Sequence, residues 1–172
     1  MMLRVICLGT LVAVLFLSTV PSQVEAADAP PELAAALIVK LVGFEKTVAA
    51  GGDIAIYVIG AQEWAAKLKG AVGQKIGKAT LASVDHGDGL PTDKPSILCL
   101  GDAAKVADVT AYTQAEKVLS VTNQPDLATD GITLALGVGD DGKPQVTLNL
   151  ASSKAEGRDW NPAIMKIAKT VK

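Results

Sequence analysis

The sequence has little of the material from which catalytic and cofactor sites are usually built. Its 172 residues include one histidine, two cysteines, and two each of tryptophan, tyrosine and phenylalanine. It contains no G-x-S-x-G, H-E-x-x-H, C-x-x-C or Walker-type loop, so the signatures of common hydrolases, zinc proteases, dithiol redox proteins and nucleotide-binding proteins are absent. So few aromatic rings also argue against stacking on bases. The composition therefore disfavours an enzyme.

An excess of positive charge is missing as well. Sixteen basic residues face eighteen acidic ones, for a net charge of −2. Proteins that bind nucleic acid neutralise phosphates with lysine and arginine, which requires a basic surface. Nucleic acid is therefore excluded as a partner.

The N-terminus has the pattern of an export signal. Arg4 precedes an apolar run from Val5 to Leu17, and Val24 and Ala26 fit the small-residue pattern of a signal peptidase site. The run is too short for a stable membrane anchor, although a retained anchor is the alternative. We predict that residues 1–26 are cleaved and that residues 27–172 form a single periplasmic domain. Cleavage would remove Cys7 and leave Cys99 alone, without an intrachain disulfide.

Hydrophobic periodicity places helices and strands alternately along the mature chain, after a short linker at "ADAPP". Helices are predicted at "PELAAALIVKLVGF", "AQEWAAKLKGAV", "AAKVADVTAYTQA" and from about Pro162 to Val171, and strands at "DIAIYVIG", "KIGKATLASV", "PSILCLG" and "KVLSVT". A polar loop is predicted from Asp85 to Lys94. "GITLALGV" and "PQVTLNL" flank an Asp-Gly turn, which predicts a β-hairpin. The fold class predicted is therefore α/β: a three-layer sandwich with a mixed, mainly parallel sheet and a C-terminal hairpin plus helix.

Two groups of residues could carry metal or thiol chemistry. His86 lies among acidic residues in a predicted loop, namely Asp85, Asp88 and Asp93. High-affinity metal sites need three or four ligands that converge from several elements, so a solvated acidic loop explains these residues better. Cys99 sits in an apolar strand with no base nearby in the sequence, which favours a buried, inert thiol. We predict no metal site, no catalytic residue and no cofactor.

The ends of two predicted strands offer a site for a small ligand. Gly60 and Gly101 each close a strand and lead into a helix, and Asp102 is a natural helix cap. In parallel sheets such ends line a crevice that receives ligands. Together with Asn123, which follows the next strand, these residues form the candidate crevice, although nothing in the sequence identifies a ligand.

Asn149 interrupts the apolar strand "VTLNL". A buried amide must be hydrogen-bonded, so we expect its side chain to bond to backbone groups at the join between the sheet and the segment that follows.

Six blocks in order give the chain a family resemblance: "AALIVKLVGFEK", "DIAIYVIG", "GQKIGKATLASV", "PSILCLGD", "KVLSVTNQPDLATDGITLAL" and "PQVTLNLASSKAEGRDWNPAIMKIAKTV". From about Leu33 to Val171 the sequence resembles the YfiR-like family of periplasmic proteins. The resemblance identifies Asn149, Gly131 and Asn123 as structural signature positions. Tyr57 and Pro95 stand where family members usually carry cysteines, so that disulfide is not expected here.

The resemblance implies a non-enzymatic signalling role. YfiR-type proteins bind the periplasmic sensing domain of an inner-membrane diguanylate cyclase and hold it inactive, which limits cyclic-di-GMP signalling and biofilm formation. Many other family members lie near histidine kinases or outer-membrane transporters. The leading hypothesis is therefore a periplasmic regulator of a membrane-anchored sensor, with a homodimer also open. The rival hypotheses are a small-molecule binding module that uses the crevice and, least favoured, a hydrolase.

Overall fold

The computed structural model describes residues 26–172, so the predicted signal peptide lies outside the described residues except for Ala26. The strands are β1 (Ala27–Asp28), β2 (Gly52–Ile59), β3 (Lys75–Ile76), β4 (Ala79–Gly87), β5 (Ile97–Leu100), β6 (Leu119–Thr122), β7 (Leu134–Val138), β8 (Pro144–Asn149) and β9 (Lys169–Val171). The α-helices are α1 (Pro31–Leu41), α2 (Gln62–Lys69), α3 (Val106–Glu116) and α4 (Leu150–Ala155). Short 3₁₀ turns cover Val42–Phe44, Val48–Ala50, Ala103–Lys105, Pro125–Ala128 and Pro162–Lys166.

The nine strands found within residues 26–172 form one mixed sheet in the order β3-β4-β2-β5-β6-β7-β8-β9, with β1 paired to β7. The pairs β2–β4, β2–β5, β5–β6, β6–β7 and β8–β9 are parallel. The β3–β4, β7–β8 and β1–β7 pairs are antiparallel. The predicted α/β class, the mainly parallel sheet and the hairpin are therefore confirmed.

The sheet is covered on both faces because its central strands are apolar on both sides. In β5, Ile97 and Cys99 join the core on the face of α1 and α2, whereas Leu98 and Leu100 join a second cluster with Val109 of α3. Helix α1 is anchored by Ala34, Ala35, Ile38 and Leu41, all buried. Its broad apolar face therefore serves mainly the core.

Farther along the sheet, the face that carries α3 becomes polar. Ser120 and Thr122 of β6 point away from the apolar core that holds Leu119 and Val121, and all four residues are buried. The neighbouring Thr133 and Thr147 are buried too. The hydroxyl groups of these residues therefore need hydrogen-bonding partners, which an apolar helix could not supply.

Several predicted boundaries are wrong. "KIGKATLASV" forms two strands, because Gly77 adopts a φ of 62° and turns the chain between β3 and β4. Strand β4 then continues to Gly87, into the predicted polar loop, since its register with β2 extends to that residue. The predicted "ADAPP" linker begins as β1, whose Ala27 and Asp28 lie beside Val138 and Gly137 of β7.

The predicted helix from Pro162 to Val171 is also wrong. Pro162 starts a 3₁₀ turn that ends at Lys166, and Lys169–Val171 then forms β9. The edge of β8 offers backbone partners to this segment, and Thr170 and Val171 are β-branched residues that suit a strand. The α-helix that follows the hairpin is instead α4, in the stretch Leu150–Ala155.

Asn149 joins β8 to α4. Its Oδ1 accepts a hydrogen bond from the amide of Ser152 at 2.9 Å, and this bond caps the helix. Its Nδ2 donates to the carbonyl oxygen of Ala128 at 2.7 Å. The side chain is only 5% exposed. Both ends of the amide therefore bond to backbone, as the sequence predicted, and together they tie β8, α4 and the 3₁₀ turn before β7.

We predict that Asn149→Ala lowers the free energy of unfolding by about 1–3 kcal/mol, because the buried amide of Ser152 and the carbonyl of Ala128 lose their partner. Urea denaturation followed by circular dichroism measures the loss. The matched control is Asn161→Ala, because the Asn161 side chain also caps a turn, through the amide of Ala163, but is exposed. Equal losses in the two variants would contradict a role for burial.

Candidate functional site

The topology places a switch point at the carboxyl ends of β2 and β5. From β2 the chain passes through α2 to β4 on one side, and from β5 it passes to α3 and β6 on the other. Helices α2 and α3 lie on opposite faces of the sheet. Crevices of α/β proteins form at such points. Gly60 and Gly101, which follow these two strands, therefore lie at this switch point.

The two strand ends pack closely against each other. A Cβ at Gly60 would lie 2.5 Å from the Cβ of Asp102, and a Cβ at Gly101 would overlap the side chain of Ala61. Gly60 also has a φ of 69°, which disfavours other residues. The Asp102 carboxylate accepts a hydrogen bond from the Ala104 amide at 3.0 Å and caps the following turn, as predicted. Glycine is thus needed here for packing of the two loops.

An open depression of about 340 Å³ lies beside this contact, toward β4. Gly60, Ala61, Gln62, His86, Gly87 and Asp88 line it. Of the four residues of the candidate crevice, Gly60 borders this depression, whereas Gly101 and Asp102 are not among its lining residues.

Asn123 has a different neighbourhood. Its Nδ2 donates to the carbonyl of Ala29 at 3.1 Å, and its backbone carbonyl accepts from the Ala29 amide at 2.8 Å. The next residue, Gln124, donates from Nε2 to the carbonyl of Gly101 at 2.9 Å. Asn123 therefore holds the segment after β1 against the end of β6, and Gln124 connects that point to the loop after β5.

Gly131, the third signature position, packs against α3. It has a φ of 105°, and a Cβ there would lie 2.9 Å from Cγ2 of Thr110. A side chain would therefore be strained by both the backbone angle and the contact.

His86 and Cys99, the residues considered for metal and thiol chemistry, lie in different surroundings. His86 is exposed on β4, and Cys99 is fully buried, so that burial raises the pKa of its thiol. Within residues 26–172, no group of three or more His, Cys, Asp or Glu side chains could hold a metal ion. No helix in that same range is long and apolar enough to cross a membrane.

Sequence reasoning missed a buried carboxylate on the polar face of the sheet. Glu156, just after α4, is fully buried. Its Oε2 accepts from the Ser120 amide at 3.0 Å and from Oγ1 of Thr133 at 2.7 Å, and its Oε1 accepts from the Ser120 hydroxyl. Burial raises the pKa of Glu156, and these hydrogen bonds oppose that rise. Glu156 supplies the acceptors that Ser120 and Thr133 require.

A second missed carboxylate joins distant parts of the chain. Glu45 is fully buried; its Oε2 accepts from the Val48 amide at 2.6 Å, and its Oε1 accepts from the Asp159 amide at 3.0 Å. The Arg158 guanidinium lies beside it, with Nη1 4.0 Å from Oε2. The two segments around Glu45 and Asp159 also pair through their backbones. The Lys46 amide donates to the Asp159 carbonyl oxygen at 2.8 Å, and the Asn161 amide donates to the Phe44 carbonyl oxygen at 2.7 Å.

The sequence offered almost no signal for either carboxylate. Both lie in polar stretches, "GFEKT" and "SSKAEGRDW", where a glutamate is ordinarily solvated. Ser120 and Thr122 of β6 and Thr133 before β7 alternate with apolar residues in the sequence, and all three are buried in the structure. This alternation was the only indication that polar groups on this face of the sheet needed a hydrogen-bonding partner.

We predict that Glu156→Gln changes how stability depends on pH. A raised pKa means that the folded state holds the proton more tightly, so the contribution of Glu156 is present below its ordinary value of 4.5 and is lost as pH rises through the folded pKa. Glutamine does not titrate. Relative to wild type, Glu156→Gln should therefore gain stability between about pH 4 and about pH 8, by about 1.4 kcal/mol per unit of pKa shift. Urea melts at both pH values measure this; a pH-independent difference would contradict it.

The fold is shared with a solved structure of low sequence identity. The chain resembles the ABC domain from Streptococcus pneumonia crystallised in complex with L-Trp, with a TM-score of 0.51 and 12% identity. The match covers 83% of this chain and 60% of that one, so this protein spans less than two thirds of that structure's length. At this identity the likeness shows the fold alone. A search of the curated proteins gives no match.

A family match covers nearly the whole described chain. The sequence model described as YfiR/HmsC-like matches residues 31–169, from the start of α1 to the first residue of β9. This range contains Asn123, Gly131 and Asn149, the three signature positions that the resemblance identified. The family is one of periplasmic, non-catalytic regulatory proteins. The chain belongs to the YfiR/HmsC-like family.

Proposed function

We propose that this protein binds a membrane-anchored signalling protein from the periplasmic side and modulates it. The partner would be a diguanylate cyclase or a sensor histidine kinase, and the output would be cyclic-di-GMP signalling and biofilm formation in the first case. The observation that carries the proposal is the family match over residues 31–169. Residues 1–26 would serve as a cleaved export signal, which would deliver residues 27–172 to the periplasm as one domain.

The C-terminal segment offers a surface for such a partner. Met165 is 46% exposed and Ile167 is 52% exposed, so two of the four large exposed apolar side chains within residues 26–172 lie two positions apart in the chain. Lys166 and Lys169, which lie close to them in the chain, are exposed too. Exposed apolar side chains near lysines suit a partner surface with an acidic rim.

The test is capture of a membrane sensor from envelope extracts by the tagged protein, with mass spectrometry of the retained proteins. We expect a cyclase or kinase to be recovered by wild type and its capture to fall about tenfold or more in Met165→Ser/Ile167→Ser, because two apolar contacts are lost. The control Val72→Ser/Leu90→Ser removes the other two large exposed apolar side chains, each 45% exposed.

Two outcomes would argue against this function. One is the recovery of no membrane sensor, and the other is an equal loss of capture in both double variants. Self-association through the same surface would appear instead as a dimer in light scattering that dissociates in Met165→Ser/Ile167→Ser.

A small-molecule binding function at the strand ends is the second candidate. The depression beside Gly60 favours it, because this cavity of about 340 Å³ lies next to the switch point of the sheet. Gly101 and Asp102 would form the packed wall behind it, and Asn123 would support the adjoining loop. In this case a metabolite should raise the melting temperature of wild type, and the rise should disappear in Gln62→Ala. A rise that persists in that variant would place the ligand elsewhere.

A further inference from the structure

A second cleft lies at the opposite end of the central strands, where β2 and β5 begin. It has a volume of about 330 Å³ and is lined by Thr47, Val48, Gly51, Asp53, Ile54, Lys94, Pro95, Ser96, Lys117 and Arg158. We call it the basic cleft. Val48, Ile54 and Pro95 are buried and give it an apolar wall, whereas Lys94 and Lys117 are exposed at its rim.

The charge of this cleft is opposite to that of the whole chain. Three cationic side chains line the cleft, those of Lys94, Lys117 and Arg158, and the one carboxylate among its lining residues is that of Asp53. When Glu45, which lies beside Arg158, is counted too, the cations still exceed the anions. The full chain carries a net charge of −2. A local excess of cations attracts anions.

Arg158 supplies the strongest indication of a ligand. Its side chain is only 7% exposed. Nε donates to the carbonyl of Glu156 at 3.0 Å, and Nη2 donates to the carbonyl of Lys117 at 2.6 Å. Nη1 lies 4.0 Å from Oε2 of Glu45, which makes an ion pair but is too long for a hydrogen bond. A guanidinium has five N–H donors, so donors remain free on a buried charged group that borders the cavity.

The surroundings of Arg158 hold it in place. Lys117 ends α3 in the left-handed conformation, with a φ of 55°, and its Nζ donates to the carbonyl of Ala155 at 2.8 Å. Its own carbonyl thereby faces Arg158. Across the cleft, Oγ of Ser96 accepts from the Ala55 amide at 3.2 Å and keeps its own proton available. The donors are therefore fixed before any ligand arrives, which lowers the entropic cost of binding.

We propose that the basic cleft binds a small organic anion through its carboxylate or phosphate group. The oxygens accept from Nη1 of Arg158 and from the Ser96 hydroxyl, Lys94 contributes its charge at the rim, and the apolar body of the ligand lies against the small apolar part of the cleft lining. The Asp53 carboxylate opposes additional negative charge. The cleft therefore favours a ligand with one anionic group on a compact apolar body.

Three probes that share a phenyl ring test the proposal: benzoate, phenyl phosphate and the neutral benzamide, which matches benzoate in size. They are titrated into the full mature protein and followed by amide chemical shifts in NMR. We expect saturable shifts at Ser96 and Lys117 with benzoate or phenyl phosphate and none with benzamide. The tighter of the two anions tells whether the site prefers a carboxylate or a phosphate. Lys94→Gln should weaken binding about two- to fivefold, and Asp53→Asn should strengthen it by a similar factor.

The matched control is Lys69→Gln, which removes an exposed lysine from the last turn of α2, away from the cleft. The substituted residues are all exposed, so the variants should fold as wild type does. The proposal is overturned if neither anion gives saturable shifts below about 10 mM, a Kd that corresponds to only weak binding. It is also overturned if benzamide binds as well as the anions, or if Lys94→Gln and Lys69→Gln behave alike.

Discussion

The position of the C-terminal third of the chain depends on two buried carboxylates. Glu156 accepts three hydrogen bonds from Ser120 and Thr133 on the polar half of the sheet, and Glu45 accepts the amides of Val48 and Asp159. Removing either carboxylate would leave several buried N–H and O–H donors without acceptors. The free-energy cost of those unpaired donors is larger than the net contribution of the hydrogen bonds to stability. The segment after α4 therefore has one arrangement that satisfies both groups, and that arrangement sets where Arg158 and β9 lie.

The parts of the fold that the sequence predicted are those in which hydrophobic periodicity and burial agree. β2, β5 and the β7–β8 hairpin are apolar strands bounded by glycine or an Asp-Gly turn, and they lie in the sheet as expected. The segment from Pro162 to Val171 misled because its apolar residues fit helical spacing, whereas the free edge of β8 determined its structure. The hydrophobic pattern of a short segment does not show that a free strand edge is available to it, because that edge forms only when the sheet folds.

The candidate site was predictable only in part, for a similar reason. The strand ends at Gly60 and Gly101 could be placed from topology, but their mutual packing depends on Asp102 and Ala61, which come together only in the folded sheet. Glu45 and Asp159 are 114 positions apart, and no periodicity connects them. Asn149 is the exception, because a polar residue inside an apolar strand requires hydrogen-bonding partners that the sequence alone implies.

The two ends of the central strands therefore have different chemistry, and this bears on how the protein could regulate a partner. At the carboxyl ends, Gly60 and Gly101 bring the loops into contact and leave an open depression at one side. At the amino ends, Arg158 keeps free donors beneath a basic rim, in the segment that leads to Met165 and Ile167. An anion bound to Arg158 would compete for the charge that now faces Glu45. Because Glu45 accepts a hydrogen bond from the Asp159 amide at 3.0 Å, such binding would bear directly on the backbone of the segment that follows α4.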